Sequence, residues 1–308
     1  MASRIGSALR RAYDSDVAYS FRQSPIVVGA AIMVTIFVLA SIFAPLISPI
    51  DPLDLAQISI SDGLKPPAWL DGGDWNFVLG TDDQGRDLLS AIIYGTRLSL
   101  FVGLISVLLS MVIGITLGLI SGYAGGAVDA FIMRVADVQL TFPAILIALL
   151  IDGVARGILT GPQHEELAMF VVVMSIALSY WVQYARTVRG SVLVERNKEY
   201  VLAARVIGLR PSLILFRHIL PNVMGPVLVV GTINLALAII TEATLSFLGV
   251  GLPATQPSLG RLIFEGNNFL NSGEWWLIVF PGVALVLVVL SVNLLGDWLR
   301  DALNPKLR

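Results

Sequence analysis

Long apolar segments separated by short polar ones run through almost the whole chain. Five of them contain no charged residue and are long enough to cross a bilayer, for which a helix needs about 20 residues; they are residues 26–47, 98–122, 167–185, 219–241 and 275–296. A sixth segment, 130–151, carries Arg134 and Asp137 in its first two turns, where charged side chains can pair or reach the membrane surface. The pattern predicts an all-α, polytopic membrane protein with six transmembrane helices.

The composition favours a membrane protein over a soluble one. Of the 308 residues, 56% are apolar and 14% are charged, whereas about 25% are charged in a typical globular protein. The net charge of −2 excludes a generally cationic nucleic-acid-binding protein. The sequence has no cysteine, and its two histidines, His164 and His218, are far apart, so we expect no thiol chemistry and no metal site.

The basic residues divide unevenly between the two sides of the predicted spans. Six spans put both termini on one side, which holds 15 of the 20 lysines and arginines. Because cytoplasmic loops carry an excess of basic residues, we expect that side to be the cytoplasm. The predicted organisation is a cytoplasmic N-terminus (1–25), a first transmembrane helix (26–47), an extracytoplasmic loop (48–96), a five-helix core with a cytoplasmic loop (97–297, loop 187–221) and a cytoplasmic C-terminus (298–308).

The sequence lacks catalytic motifs. It contains no Gly-Lys dipeptide, which the phosphate-binding loop Gly-x4-Gly-Lys-Ser/Thr requires. The segment His164-Glu165-Glu166 lacks the second histidine of a zinc-protease helix. Acidic and histidine residues that could relay protons through the spans are also scarce, with Glu242 standing near the outer end of the fifth span. We therefore predict that the chain is not an enzyme and is not a proton-coupled pump.

Glycines recur at every fourth position in the second span, at Gly114, Gly118 and Gly122. Small residues at this spacing let two helix backbones approach closely inside a membrane. The pattern predicts a helix-packing face, and the packed neighbour is either a helix of this chain or one of a second subunit.

The basic loop between the fourth and fifth spans has the signals of a bent helical hairpin. Good helix formers at 199–207 stop at Gly208, and Pro211 can begin a second helix. Apolar residues stand alongside arginines in this segment. Such a hairpin fits a groove on a soluble partner, or it lies as an amphipathic helix on the anionic inner leaflet.

The loop contains Ala203-Ala204, then Gly208 four residues later, and Leu220-Pro221 at its end. In these residues it resembles the EAA loop of permease subunits of bacterial binding-protein-dependent ABC importers. Leu202 occupies the usual acidic position of that pattern, and Glu199 lies one helical turn earlier. Further segments are similar to the second permease subunit of dipeptide, oligopeptide and nickel importers: LGTDDQGRDLLS (79–90), YGTRLSL (94–100), EYVLAAR (199–205), RHILPN (217–222) and EATLSFLGVG (242–251).

The resemblance implies a type I ABC importer permease fold in the bacterial inner membrane. It implies a heterodimer with a homologous second permease, two cytoplasmic ATPases, an extracytoplasmic substrate-binding protein and surrounding membrane lipid, with no nucleic acid. The chain itself would bind no cofactor, and ATP and Mg²⁺ would lie on the partner subunits. The implied function is ATP-driven import of dipeptides or oligopeptides; alternatives are import of nickel chelates, opines or other small solutes and, more distantly, a secondary transporter or a membrane scaffold.

The resemblance also implies roles for particular residues. It places the contact with the ATPase at Glu199, Ala203, Ala204, Arg205, Gly208, Leu209, Arg210 and Pro221. Candidates for the translocation pathway or gate are Arg97, Glu242 and Ser246, and Arg86 would organise the outer loop. For Glu242, two readings stay open: a salt bridge or hydrogen bond that holds the structure, and a polar contact with a peptide in the pathway.

Overall fold

The computed structural model describes residues 16–48, 50–52, 54 and 58–303, and within these ranges it is helical without a β-strand. The predicted terminal segments 1–25 and 298–308 therefore lie partly outside the described residues. In chain order, the α-helices of four or more residues are α1 (Asp16–Gln23), α2 (Pro25–Ile42), α3 (Ala44–Ile47), α4 (Leu88–Ala124), α5 (Gly126–Leu140), α6 (Ala144–Ile158), α7 (Gly161–Glu195), α8 (Glu199–Val206), α9 (Leu220–Phe247), α10 (Leu259–Asn267) and α11 (Trp276–Leu303).

Five continuous helices are long and apolar enough to cross a membrane, namely α2, α4, α7, α11 and the helix Pro211–Phe247 that includes α9. The sixth predicted span, 130–151, is not one straight helix, because α5 and α6 meet at an angle of 96°. Pro143 explains the break: it has no backbone N–H to donate, and it disfavours the helical conformation at Phe142. The count of six spans therefore holds only if this bent pair crosses the membrane as one unit.

Helix ends differ from the predicted limits of the apolar segments. The helix α4 begins at Leu88, inside the predicted loop 48–96, because the Asp87 side chain caps it by accepting a hydrogen bond from Ser90 N. The helix α7 continues past the predicted end of its span to Glu195, so the loop predicted from 187 begins as helix. Hydropathy marks where a helix leaves lipid, and this need not be where the helix ends.

The start of the fifth span also differs from the prediction. The apolar segment was predicted to begin at residue 219, but the chain is helical from Pro211 onward and passes through a π-helical turn at Ile214–Ile219. Pro221 cannot donate a backbone hydrogen bond and its ring crowds the preceding turn. A wider turn directly before the proline relieves that crowding while the helix continues.

The centre of the bundle is the parallel pair of α4 and α7, since successive glycines of α4 face successive turns of α7. A Cβ atom at Gly114 would lie 2.6 Å from the carbonyl oxygen of Trp181, and one at Gly118 would lie 2.6 Å from that of Ala185. At Gly122 it would lie 2.8 Å from Val192 Cβ. The glycine face of α4 therefore packs against a helix of the same chain, with the two backbones too close for any side chain at these positions.

Candidate functional site

A bent hairpin, residues 199–221, projects from one end of the bundle. Its first arm is α8, and its turn depends on Gly208, whose φ of +77° is a conformation that other residues rarely adopt. The N–H of Gly208 donates to Arg205 O and the N–H of Leu209 donates to Ala204 O, which closes the end of the helix. Pro211 then begins the second arm, as predicted from its position.

The predicted contact residues divide into exposed and buried positions. Ala204 is 4% exposed and packs, with Val201, into the main hydrophobic core. Leu209 is half-buried against the same core. The other six are exposed: Glu199, Ala203, Arg205, Gly208, Arg210 and Pro221. Ala204 and Leu209 anchor the hairpin to the bundle, and the six exposed residues form its outer surface.

The tip of the hairpin exposes large apolar side chains. Val206 is 87% exposed and Ile207 is 72% exposed, directly before the turn at Gly208. Leu202, one turn earlier on α8, is 46% exposed. We call Leu202, Val206 and Ile207 the apolar tip. Its residues cover no part of the core, so they are free to contact another molecule.

Polar contacts brace the hairpin against α7 and α9. The Tyr200 hydroxyl donates to Glu195, the last residue of α7, and accepts from Asn222 Nδ2 at 3.1 Å. Lys198 Nζ donates to Glu195 Oε1 at 2.6 Å. Burial and the bond to Glu195 raise the pKa of Tyr200 to about 12. We did not predict this brace, although Glu195 and Tyr200 lie close in sequence.

Two arginines attach the hairpin region to the end of α4. The Arg205 guanidinium stacks over the Tyr123 ring at 5.1 Å from its centroid. Arg196 Nη1 donates to Gly122 O at 2.8 Å. Three transmembrane helices therefore hold the base of the hairpin, and the hairpin and the bundle are expected to move together.

At the opposite end of the bundle, Glu242 lies completely buried among serines. Ser99 Oγ donates to Glu242 Oε2 at 2.7 Å, and Ser246 Oγ donates to Glu242 Oε1 at 2.8 Å. The two hydroxyls also accept backbone N–H groups, from Leu259 and Leu252, at 3.3 Å each. This network joins α4, α9 and α10, and no ion pair to Glu242 is found among the described residues.

Arg97 lies close to that network but is exposed. It lines a cavity of about 360 Å³ together with Tyr94, Phe101, Met169 and Gln256. The cavity has mainly apolar walls with one cationic side chain. Of the three candidates for the pathway, Arg97 is the one in an open cavity, whereas Glu242 and Ser246 are enclosed.

Arg86 fixes the outer loop onto α10. Its Nε donates to Asp82 Oδ2 at 2.5 Å and its Nη2 donates to Glu265 Oε2 at 3.0 Å, with the guanidinium 4% exposed. Burial alone would lower the pKa of Arg86, but the two carboxylates outweigh burial and raise the pKa above its ordinary value. Residues 82 and 265 are far apart in sequence, so this clamp was not predictable in detail.

Within the described part of the chain, no cluster of three or more histidine, aspartate or glutamate side chains could hold a metal ion. The site therefore consists of an exposed hairpin at one end of the bundle and, at the other, buried polar networks beside an open cavity.

Comparison with known proteins places this geometry in a family. Residues 114–308 match the family described as binding-protein-dependent transport system inner membrane component, and residues 15–67 match the N-terminal TM domain of oligopeptide transport permease C. A solved structure of the MetNI methionine ABC transporter in inward-facing conformations has a similar fold, with a TM-score of 0.55 and 17% identity over 70% of this chain and 96% of that chain.

Curated relatives cover nearly the whole chain. The dipeptide transport system permease protein DppC of Haemophilus influenzae is 39% identical over 94% of each chain. The oligopeptide transport system permease protein OppC of Bacillus subtilis is 36% identical over 95% of this chain and 90% of the relative. The predicted family and the predicted type I permease fold are confirmed. This chain is a member of the family of binding-protein-dependent transport system inner membrane components.

Proposed function

We propose that this chain is one permease subunit of an ATP-driven importer of dipeptides or oligopeptides. The names of its relatives support the peptide substrate, and the absence of a nucleotide-binding loop from the sequence supports separate ATPase subunits that hold ATP and Mg²⁺. A homologous second permease would supply the other half of the pathway, and a soluble extracytoplasmic protein would deliver the peptide. The basic residues favour both termini in the cytoplasm.

The observation that carries the coupling role is the apolar tip of a braced hairpin. An apolar surface on a rigid support suits insertion into a groove of a soluble partner. The brace at Tyr200 and the core anchor at Ala204 would transmit a displacement of the tip into α7 and α9. Closure of the ATPases would then act on the bundle through this lever and switch the direction in which the pathway opens.

The rival reading is a hairpin that lies on the lipid surface. A helix of that kind is held by its own apolar face and does not need fixed hydrogen bonds to the bundle. Here Glu195 and Asn222 fix the orientation of Tyr200 from two different helices. That fixed orientation favours a protein partner over lipid.

The substitution Val206→Asp tests the coupling role. Val206 is 87% exposed, so aspartate should leave the fold intact, yet a buried charge in a partner groove should abolish binding. Val194→Asp is the matched control, because Val194 is 65% exposed at the end of α7, outside the hairpin. We expect Val206→Asp to lose co-purification with the ATPase and ATP-dependent dipeptide uptake while membrane insertion is unchanged. Retention of both by Val206→Asp would contradict the coupling role.

Uptake assays distinguish the remaining alternatives. Proteoliposomes with the assembled importer should take up a labelled dipeptide only with ATP and the binding protein. Uptake by this chain without ATP would indicate a secondary transporter, and uptake of a nickel chelate or an opine in place of the dipeptide would reassign the substrate. Arg97, Glu242 and Ser246 are proposed to shape the pathway, with Arg97 in contact with solute and the other two holding the adjacent helix ends.

A further inference from the structure

A second cavity, of about 290 Å³, lies at the end of the bundle remote from the hairpin. Its charged walls are Arg156 at the end of α6, His164 and Glu165 at the start of α7, and Arg261 of α10. The remaining walls are Ala168 of α7 and the loop 249–254, and the next residues of that loop, 255–257, line the cavity of Arg97. The charged cavity and the cavity of Arg97 therefore share one loop.

Each arginine in this cavity is held by one carboxylate, which accepts a hydrogen bond from the arginine Nε atom only. Arg156 Nε donates to Asp152 Oδ2 at 2.7 Å, and Arg261 Nε donates to Glu265 Oε1 at 2.9 Å. Beyond these bonds, Arg156 Nη2 makes one long contact, 3.5 Å, to Gly249 O. The Arg261 guanidinium rests on the Phe264 ring, 4.9 Å from its centroid. The terminal nitrogens of both side chains keep donors available in fixed orientations.

Two buried polar atoms beside the arginines have no hydrogen-bond partner among the described residues. Asp152 is 1% exposed and its Oδ1 is unpaired, and His164 is 8% exposed with an unpaired Nε2. The two atoms are 3.4 Å apart without the geometry of a hydrogen bond. Buried polar groups in native proteins are almost always satisfied. His164 also lines the cavity, and its Nε2 faces Asp152 Oδ1 at ion-pair distance.

We propose that this cavity binds the C-terminal carboxylate of the transported peptide through the terminal nitrogens of Arg156 and Arg261. A guanidinium presents paired donors that match the two oxygens of a carboxylate. Side chains already held by Asp152 and Glu265 lose little freedom on binding. A volume of about 290 Å³ is near the lower limit for ligand pockets, which fits the end of a peptide rather than a whole oligopeptide. The inference rests on the proposed function.

Binding of matched peptides to the full-length chain in nanodiscs tests the proposal. The probes are labelled trialanine and trialanine amide, which differ in the charge of the C-terminus. We expect the amide to bind at least tenfold more weakly, because charge-assisted hydrogen bonds are about twice as strong as neutral ones. Equal binding of the acid and the amide would overturn the proposal.

The variant Arg261→Gln tests whether the preference for the acid over the amide arises in this cavity. Glu265 keeps its ion pair with Arg86 in this variant, so the fold should survive, and thermal unfolding checks that it does. We expect Arg261→Gln to remove the preference for the acid and Arg261→Lys to retain part of it. Arg186→Gln is the matched control, because Arg186 pairs with one carboxylate, Asp137, at an exposed position. A preference for the acid that survives in folded Arg261→Gln would overturn the assignment to this cavity.

Further measurements distinguish a carboxylate of the peptide from one of the binding protein. They also distinguish failure of this inference from failure of the proposed function. If Arg261→Gln weakens only the docking of the binding protein, the carboxylate belongs to that protein and the peptide assignment is wrong. Normal ATP-dependent peptide uptake with no preference for the acid would refute this inference alone. Binding of N-acetylalanine that depends on Arg261, in a protein that imports no peptide, would refute the peptide assignment while leaving the carboxylate site in place.

Discussion

The glycine face of α4 allows a sharp test of how the bundle packs. Replacing Gly114 by alanine adds a Cβ atom that would lie 2.6 Å from the carbonyl oxygen of Trp181 and 3.0 Å from the backbone nitrogen of Ala185. Non-bonded heavy atoms prefer separations of about 3.5–4.0 Å, so α4 and α7 would have to separate by about 1 Å. The atoms in the way are these backbone atoms and the Cβ atom of Tyr184, which is fixed to the backbone, so no side-chain rotation relieves the overlap.

The expected magnitude follows from two opposing effects. Overpacking of a tight interface costs about 1–3 kcal/mol, and alanine is favoured over glycine inside a helix by about 0.5–1 kcal/mol. We expect Gly114→Ala to lower the free energy of unfolding by about 1–2 kcal/mol. Gly190 of α7 is the matched control, because a Cβ atom there would meet nothing within 4 Å. Gly190→Ala should therefore be neutral or stabilising.

Thermal unfolding of the detergent-purified chain, followed by tryptophan fluorescence, measures both variants under identical conditions. The midpoint should fall for Gly114→Ala and should stay or rise for Gly190→Ala. Equal midpoints for the wild type and both variants would refute the reasoning that Gly114 sets the distance between α4 and α7. A fall in both variants would show that any alanine in these helices is harmful and would refute it as well.

The parts of the fold that the sequence predicted are those that depend on local chemistry. Apolar segments of sufficient length gave the five continuous spans, and Gly208 and Pro211 gave the turn of the hairpin, since each acts on its own backbone. Pro143 also acts on its own backbone, but a count of apolar residues across 130–151 does not detect a helix break at a proline. The break between α5 and α6 was therefore missed although its cause is visible in the sequence.

The polar networks depended on contacts between distant segments and were not predictable. Glu242 stood out in the sequence, but nothing indicated that Ser99, on another helix, would bind it. Neighbouring Ala203 and Ala204 look equivalent in a sequence, yet packing against the core buries only Ala204. The cavity of Arg156 and Arg261 likewise forms only when three helices meet at one loop.

Two further substitutions test the networks at the two ends of the bundle. Ser99→Ala should lower the free energy of unfolding by about 1.5–3 kcal/mol, because it removes a hydrogen bond to the buried Glu242 carboxylate. The control is Ser106→Ala, which should have no such cost, because the hydroxyl of this buried α4 serine has no partner among the described residues. Equal thermal unfolding midpoints for the two variants would contradict this account. Tyr200→Phe should loosen the hairpin without unfolding the bundle, and hydrogen exchange should show faster exchange of residues 199–210 with unchanged protection in α4. The Tyr200 hydroxyl has an ordinary pKa of about 10 and a pKa of about 12 in the folded state. Its contribution to the stability of the hairpin should therefore be full below pH 10 and lost as the pH rises through 12. If the exchange rates of residues 199–210 in Tyr200→Phe matched the wild type at neutral pH, the hydrogen bond to Glu195 would not be what holds the hairpin in position.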